Sequence, residues 1–314
     1  MDDRGLRGIM SLVNRRTFIA GVAAAAGAAA ARSSAVAGQP TRVNRPPRGD
    51  IGSHKRVDEI DWYYELTGNG PVVVLIPSGE GDCGSFQKVA TSLAAEFTVL
   101  TFDMPGFSRT SDPADFEHYT MSRAAGEIAA LVKSLGLGPA TVYGCSSGGH
   151  IALCLGAEHT AMVRQLIVHE SAGFPRIAVA GVTAPDVMST LPSLPDTEIV
   201  RICKERFRNE LNEIPGPWDA LGEAFHQRLE RDYVTWARRY LVPGRWRTFT
   251  SADLHQRPLT WTVGALTPAQ RAVTNVIAAR DARLDIGLLP CRHFPQVTIP
   301  QVLAEHIGAV ARRG

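Results

Sequence analysis

No CxxC pair and no HExxH segment occurs in the 314 residues, so two common zinc-binding spacings are missing. Five cysteines are present: Cys83, Cys145, Cys154, Cys203 and Cys291. Their odd number and irregular spacing indicate no dense disulfide framework. No apolar run approaches the roughly 20 residues of a membrane-spanning helix. Neither sign of charge is in excess, with 33 Lys and Arg against 31 Asp and Glu. A nucleic-acid surface is therefore not expected. No internal repeat is visible. What remains is a chain 45% hydrophobic and 20% charged, the usage of an ordinary soluble protein with one large core.

The first residues differ from the rest. Asn14-Arg15-Arg16-Thr17-Phe18 precedes a soft apolar run, residues 19–31, made mostly of Ala and Gly. Ala35-Val36-Ala37 then offers a small-x-small cleavage pattern. Charged segment, short apolar run and small-residue site together predict an export signal over residues 1–37. Its paired arginines and weak hydrophobicity resemble a twin-arginine signal, with a periplasmic or secreted destination and no lasting membrane insertion. Met10 is an alternative start. Without the five Arg and two Asp of this leader, 28 basic and 29 acidic side chains remain, a net charge near −1. A twin-arginine substrate folds before export, which fits free thiols.

Residues 38–54 are rich in Pro, Arg and Gly and are expected to be a linker. Val72–Ile76 is a continuous, mostly β-branched run, the mark of a strand buried on both faces. Further strands are predicted at Phe97–Phe102, Thr141–Tyr143, Gln165–His169, Leu259–Gly264 and Asp285–Leu289. Helical spacing appears in Phe86, Val89 and Leu93, and again in Ala125, Ile128, Leu131, Val132 and Leu135. Strands and helices alternating in this way predict a parallel sheet covered on both sides. Residues 55–174 and 258–314 form this core. Between them, 175–257 breaks the rhythm with Pro185, Pro192, Pro195, Pro215 and Pro217 and with Trp218, Trp236 and Trp246. That insert is expected to be a helical cap over the C-terminal ends of the strands.

Gly144-Cys145-Ser146-Ser147-Gly148 matches G-x-S-x-G. A strand precedes it and a helix follows, which is the context of an α/β-hydrolase nucleophile elbow. Its glycines let the backbone turn sharply and lift the Ser146 hydroxyl above the sheet. The helix N-terminus behind it favours negative charge at the same place. In this fold the order is Ser, acid, His, and His293 follows the last strand where the base belongs. His306 lies within a helix and is expected to be packed or solvated. The acid usually follows the seventh strand, but no Asp or Glu occurs between Asp253 and Asp281. Glu170, at the end of the strand after the elbow, is the leading candidate, with Asp281 and Asp285 as alternatives. Its task would be to accept the His293 ring N–H and stabilise the imidazolium. The oxyanion donors are expected to be the N–H groups of Ser147 and Gly79. Glu80 and Asp82 beside them are expected to be solvated loop charges.

The motifs together are more specific than the elbow alone. Asp61-Trp62-Tyr63-Tyr64-Glu65, the TFDMPG run from Thr101, the GCSSG elbow, His169-Glu170, Trp261-Thr262-Val263-Gly264-Ala265, the DIGLLP run from Asp285 and His293-Phe294-Pro295 resemble the zearalenone hydrolases. The resemblance spans roughly 60–314 and includes the cap, as in Tyr233-Val234-Thr235-Trp236-Ala237-Arg238. It implies an α/β-hydrolase lactonase acting on an aromatic macrolactone, a carboxylic ester hydrolase. It also places the acid after the sixth strand, at Glu170. By the same carry-over Gly79 and Ser147 match the oxyanion donors, while Trp261 and Phe294 match residues lining the substrate pocket. Four features depart from the family. Ser78 and Glu80 stand where Asp and Leu are expected, Arg292 stands where an apolar residue flanks the histidine, and the cap carries Arg206 and Arg208. Arg292 thereby joins the candidate substrate contacts.

The expected chemistry is attack by Ser146 on a lactone carbonyl, an acyl-enzyme, and its hydrolysis by water. It needs no metal and no organic cofactor. The partner is a small ester or lactone, and a homodimer is possible. A general carboxylesterase or a carbon–carbon bond hydrolase on the same scaffold is an alternative. So is a ligand-binding receptor of the same fold.

Overall fold

The computed structural model describes residues 52–174, 187–242 and 244–313. The expected leader, most of the expected linker and part of the expected cap lie outside the described residues. Eight strands form one sheet in the order β1-β2-β4-β3-β5-β6-β7-β8. They are β1 Ser53–Val57, β2 Ile60–Thr67, β3 Val72–Ile76, β4 Thr98–Phe102, β5 Ala140–Cys145, β6 Val163–His169, β7 Leu259–Gly264 and β8 Ile286–Leu289. From β4 to β8 all neighbours are parallel, while β1–β2 and β2–β4 pair antiparallel. This is the α/β-hydrolase architecture that the sequence predicts. The β1–β2 hairpin is new. Its first strand lies partly in the expected linker, and alternate residues of that strand are exposed, so it lacks the apolar run that marks the central strands.

The longer helices are α1 Gln87–Leu93, α2 Met121–Ser134, α3 Ser147–Glu158, α4 Asp196–Glu205, α5 Glu223–Thr235, α6 Ala269–Asp281 and α7 Pro300–Ala311. No helix among the described residues is long and apolar enough to cross a membrane. Helix α3 is buried from Ser147 to Gly156, because it runs between the sheet and α2. Its sequence is accordingly apolar nearly all round and not striped.

Helices α4 and α5 lie between β6 and β7 and pack on each other. Each ends in a widened π-helical turn, Arg206–Glu210 after α4 and Trp236–Tyr240 after α5. Turns of this kind recur at functional sites. The rings of Phe207 and Trp236, one from each turn, meet edge to face at 5.4 Å.

Polar contacts tie α5 to the sheet. Arg228 Nε donates to Asp82 Oδ2 at 2.6 Å. The Ser108 N–H donates to Asp232 Oδ1 at 2.8 Å. The Ser108 hydroxyl lies 2.7 Å from Asp82 Oδ2 and 2.5 Å from Asp232 Oδ2. One hydroxyl carries one proton, so it can bond fully to only one of these carboxyl groups unless the other takes up a proton. Asp232 is the group poised to do so, since burial pushes it up to about 7. Asp82 instead faces Arg228 and Arg109.

Candidate functional site

Ser146 sits between β5 and α3 with φ 55° and ψ −119°, a conformation costly for any residue with a side chain. The two flanking glycines permit it. A Cβ on Gly144 would stand 2.2 Å from the Gly148 carbonyl oxygen, and one on Gly148 would stand 2.4 Å from that of Pro77. The second contact also shows that the N-terminus of α3 abuts the loop after β3. Ser147 and the Ser78–Gly81 turn are thereby neighbours. The Ser146 N–H donates to the His169 carbonyl at 3.0 Å, which links the elbow to the end of β6.

Glu170 follows His169 and also has a positive φ, 43°. Its carboxylate is buried and both oxygens are used. Oε1 accepts the Gly264 N–H at 2.8 Å, and Oε2 lies 2.6 Å from His293 Nδ1. The end of β7, which carries no acid, instead lends a backbone donor to Glu170, the residue after β6. Gly264 is required there, since a Cβ would meet the Cys291 and Arg292 carbonyls at 2.4 Å. Burial opposes the charge on Glu170, but the hydrogen bond and charge of His293, with His169 behind them, hold the carboxyl at about 2. Asp281 and Asp285 are exposed, and Asp281 pairs with Arg280.

His293 lies in the loop between β8 and the short helix Pro295–Thr298. Its N–H donates to the Leu211 carbonyl at 3.0 Å, and its own carbonyl accepts the Cys145 thiol at 3.1 Å. Burial, then the charge of Arg271, lower its pKa to about 4, against the pull of Glu170. At neutral pH the ring is uncharged. With Nδ1–H held by a carboxylate, Nε2 keeps its lone pair and can accept a proton. Arg271, in the first turn of α6, is partly buried, and its guanidinium forms no hydrogen bond or ion pair among the described residues. Nothing in the sequence singles it out, because its influence on His293 depends on how α6 packs.

On the opposite side of the elbow, Gly81 N–H donates to the Ser78 carbonyl at 3.1 Å, closing a turn with Gly79 and Glu80 at its centre. A Cβ on Gly79 would lie 2.6 Å from the Trp236 indole. Glu80 and Asp82 are both wholly buried, contrary to the expectation of solvated charges. The cause is tertiary: α5 and its terminal turn cover this loop. Trp236, noted in the sequence only as a cap residue, is the side chain placed against Gly79 of the Ser78–Gly81 turn.

The three expected substrate contacts are otherwise engaged. Trp261 is wholly buried in β7, with its indole N–H donated to Asn275 at 2.9 Å and Phe174 against its ring. Phe294 is buried, stacked on Trp218 at 5.9 Å and close to Phe207. Arg292 ties the histidine loop to the cap, donating to the Asn209 and Asn212 carbonyls at 3.2 Å, while Glu213 accepts its N–H. Arg208 pairs with Asp219 on the surface, and Arg206 pairs with Glu210.

One group of potential metal ligands occurs among the described residues, Asp82, Cys83 and Asp103. The Arg109 guanidinium already fills it, lying 2.9 Å from Asp103 Oδ1 and 3.3 Å from Asp82 Oδ1. The donor set therefore fits an arginine and not a metal ion. All five cysteines are free and buried.

The alpha/beta hydrolase fold family matches residues 71–199. A zearalenone hydrolase from Bionectria ochroleuca is 36% identical over 253 residues, covering 79% of this chain and 92% of that protein. Another, from Cladophialophora bantiana, is 36% identical over 261 residues, covering 82% and 94%. Among solved structures, a membrane phospholipase A described as a bacterial virulence factor superposes with a TM-score of 0.68 at 20% identity, over 84% of this chain and 87% of that one. At that identity the likeness concerns the fold alone.

Proposed function

The chain belongs to the zearalenone hydrolase family of α/β-hydrolases and is a carboxylic ester hydrolase, and from that premise we propose that it opens the lactone ester of an aromatic macrolactone such as zearalenone through a Ser146 acyl-enzyme. The observation that carries this reading is the 2.6 Å pairing of His293 Nδ1 with a buried, doubly held Glu170, beside a serine on a strained elbow. His293 Nε2 takes the Ser146 proton as the hydroxyl attacks the lactone carbonyl. Gly79 and Ser147 N–H groups receive the oxyanion, and the positive end of α3 supports them. The ring alkoxide leaves with the proton from His293. Water, activated by the same histidine, then releases the open hydroxy acid.

Product analysis by mass spectrometry with zearalenone and a few simple lactones tests the substrate. Turnover of p-nitrophenyl esters with no opening of aromatic macrolactones would move the assignment to a general esterase. Full hydrolysis by Ser146→Ala would remove the nucleophile from the reading. The arginine pair and small-residue site of residues 1–37 support export of the mature enzyme by a twin-arginine route. Fractionation of a bacterial host tests this: appearance in the periplasm must be lost when Arg15 and Arg16 are replaced by Lys.

A further inference from the structure

Glu80 is a departure from the family pattern that the mechanism above leaves unused. It is wholly buried at the centre of the Ser78–Gly81 turn, directly after Gly79. Oε1 accepts the Ser85 hydroxyl at 2.9 Å, while Oε2 is buried with no protein partner. The titratable groups facing it are the phenols of Tyr143 on β5 and Tyr233 on α5 and the thiol of Cys145, and burial raises all three well above their ordinary values. The buried amide of Gln296, from the short helix after His293, is a further uncharged neighbour, and it weakly favours the ionised form. Glu80 forms no ion pair among the described residues. A carboxylate so placed would be a dry, unpaired charge, and the proton is what removes that cost.

We propose that Glu80 is a positioning residue that acts as a neutral carboxylic acid, holding the oxyanion turn while leaving it free of negative charge, and that its ionisation turns the oxyanion site off. The proposal rests on the reading of Gly79 as an oxyanion donor. Its physical content is simple. The tetrahedral intermediate places negative charge at the Gly79 N–H, and a carboxylate on the next residue in a water-poor site opposes that charge directly. A protonated acid of the same shape does not. Burial, opposed by hydrogen bonds from the loop, from Ser85 and from Gln296, puts the change at about 7. The enzyme would then work between two limits, with His293 uncharged on the acid side and Glu80 protonated on the alkaline side.

Two measurements test this. Infrared difference spectra of the intact protein across about pH 5 to 9 read the protonated carboxyl band without any turnover. A component with its midpoint near 7 is expected in the wild type and absent from Glu80→Gln, which separates it from Asp232, titrating in the same range. In parallel, kcat of the wild type is expected to fall about tenfold or more between about pH 6 and 9, with KM little changed, while Glu80→Gln keeps a flat profile. Ser85→Ala, which removes a donor that favours the ionised form, is expected to move the alkaline limb upward, and it serves where Glu80→Gln folds poorly. An alkaline limb unchanged in Glu80→Gln or in Ser85→Ala overturns the proposal. So does a wild-type protein with no Glu80 band titrating near neutrality, whatever its activity. A Ser146→Ala variant that still hydrolyses overturns the serine reading alone.

Discussion

The Cys145 thiol donates to the main-chain carbonyl of His293 across 3.1 Å, joining the residue before the serine to the residue proposed as its base. The variable position of the elbow therefore has work of its own. Cys145→Ala removes one buried hydrogen bond, expected to cost about 1 kcal/mol of stability. It also loosens the histidine loop, so kcat should fall several-fold with KM unchanged. Cys145→Ser, which keeps a donor, should recover most of that loss. Steady-state kinetics and thermal unfolding of the pair check this.

Replacing Glu170 by Gln keeps the shape and removes the charge that fixes the His293 tautomer. The expected loss in kcat is on the order of a thousandfold or more, by analogy with the acid of serine-protease triads. Asp281→Asn and Asp285→Asn should leave kcat within about twofold, since both lie exposed. Activity surviving in Glu170→Gln and lost in either aspartate variant would reassign the acid.

The acid limb of the pH profile belongs to His293, whose pKa is held down to about 4 by burial and then by Arg271. Removing the Arg271 guanidinium eases protonation of the ring. The acid limb of kcat in Arg271→Ala should therefore move to higher pH. The stability sign follows from the same depression. Stability that depends on a neutral His293 is complete above the unfolded value of about 6.5 and is lost as pH falls from there through 4.

Asp232 is raised to about 7 by burial, so its contribution has the opposite sign. It is complete below the unfolded value of about 3.9 and declines as pH rises from there through 7. Asp232→Asn, which keeps an acceptor and cannot ionise, should flatten this decline in melting temperature toward alkaline pH. A difference between the wild-type and Asp232→Asn melting curves that stays constant over that range would contradict the proton assigned to the Ser108 contact.

The turn at Ser146, the central strands and the pairing of Glu170 with His293 were legible because local signals carry them: β-branched runs, glycines on both sides of a serine, and a long stretch without acids. The β1 strand was not, since an exposed edge needs no apolar pattern and Pro-, Arg- and Gly-rich neighbours disguise it. Glu80 and Asp82 look like loop charges in sequence, because what buries them is α5, distant along the chain. Arg292 was marked as unusual, but only the fold shows that its guanidinium is committed to the Asn209 and Asn212 carbonyls. The π-helical turns of the cap leave no periodic trace, since they arise where α4 and α5 end over the site.

With Glu170 directly after β6 and His293 after β8, the whole cap enters the chain between them. Ser146 and Glu170 stay just past the ends of adjacent strands in one uninterrupted segment, and the cap becomes a cassette that could be exchanged without parting them. Its attachment to the chemistry narrows to a few contacts, above all the Leu211 carbonyl that receives the His293 N–H and the Trp236 ring against Gly79. A chimaera carrying a foreign lid would have to supply an acceptor and a wall at those two points. One that did so would inherit the rest of the machinery intact.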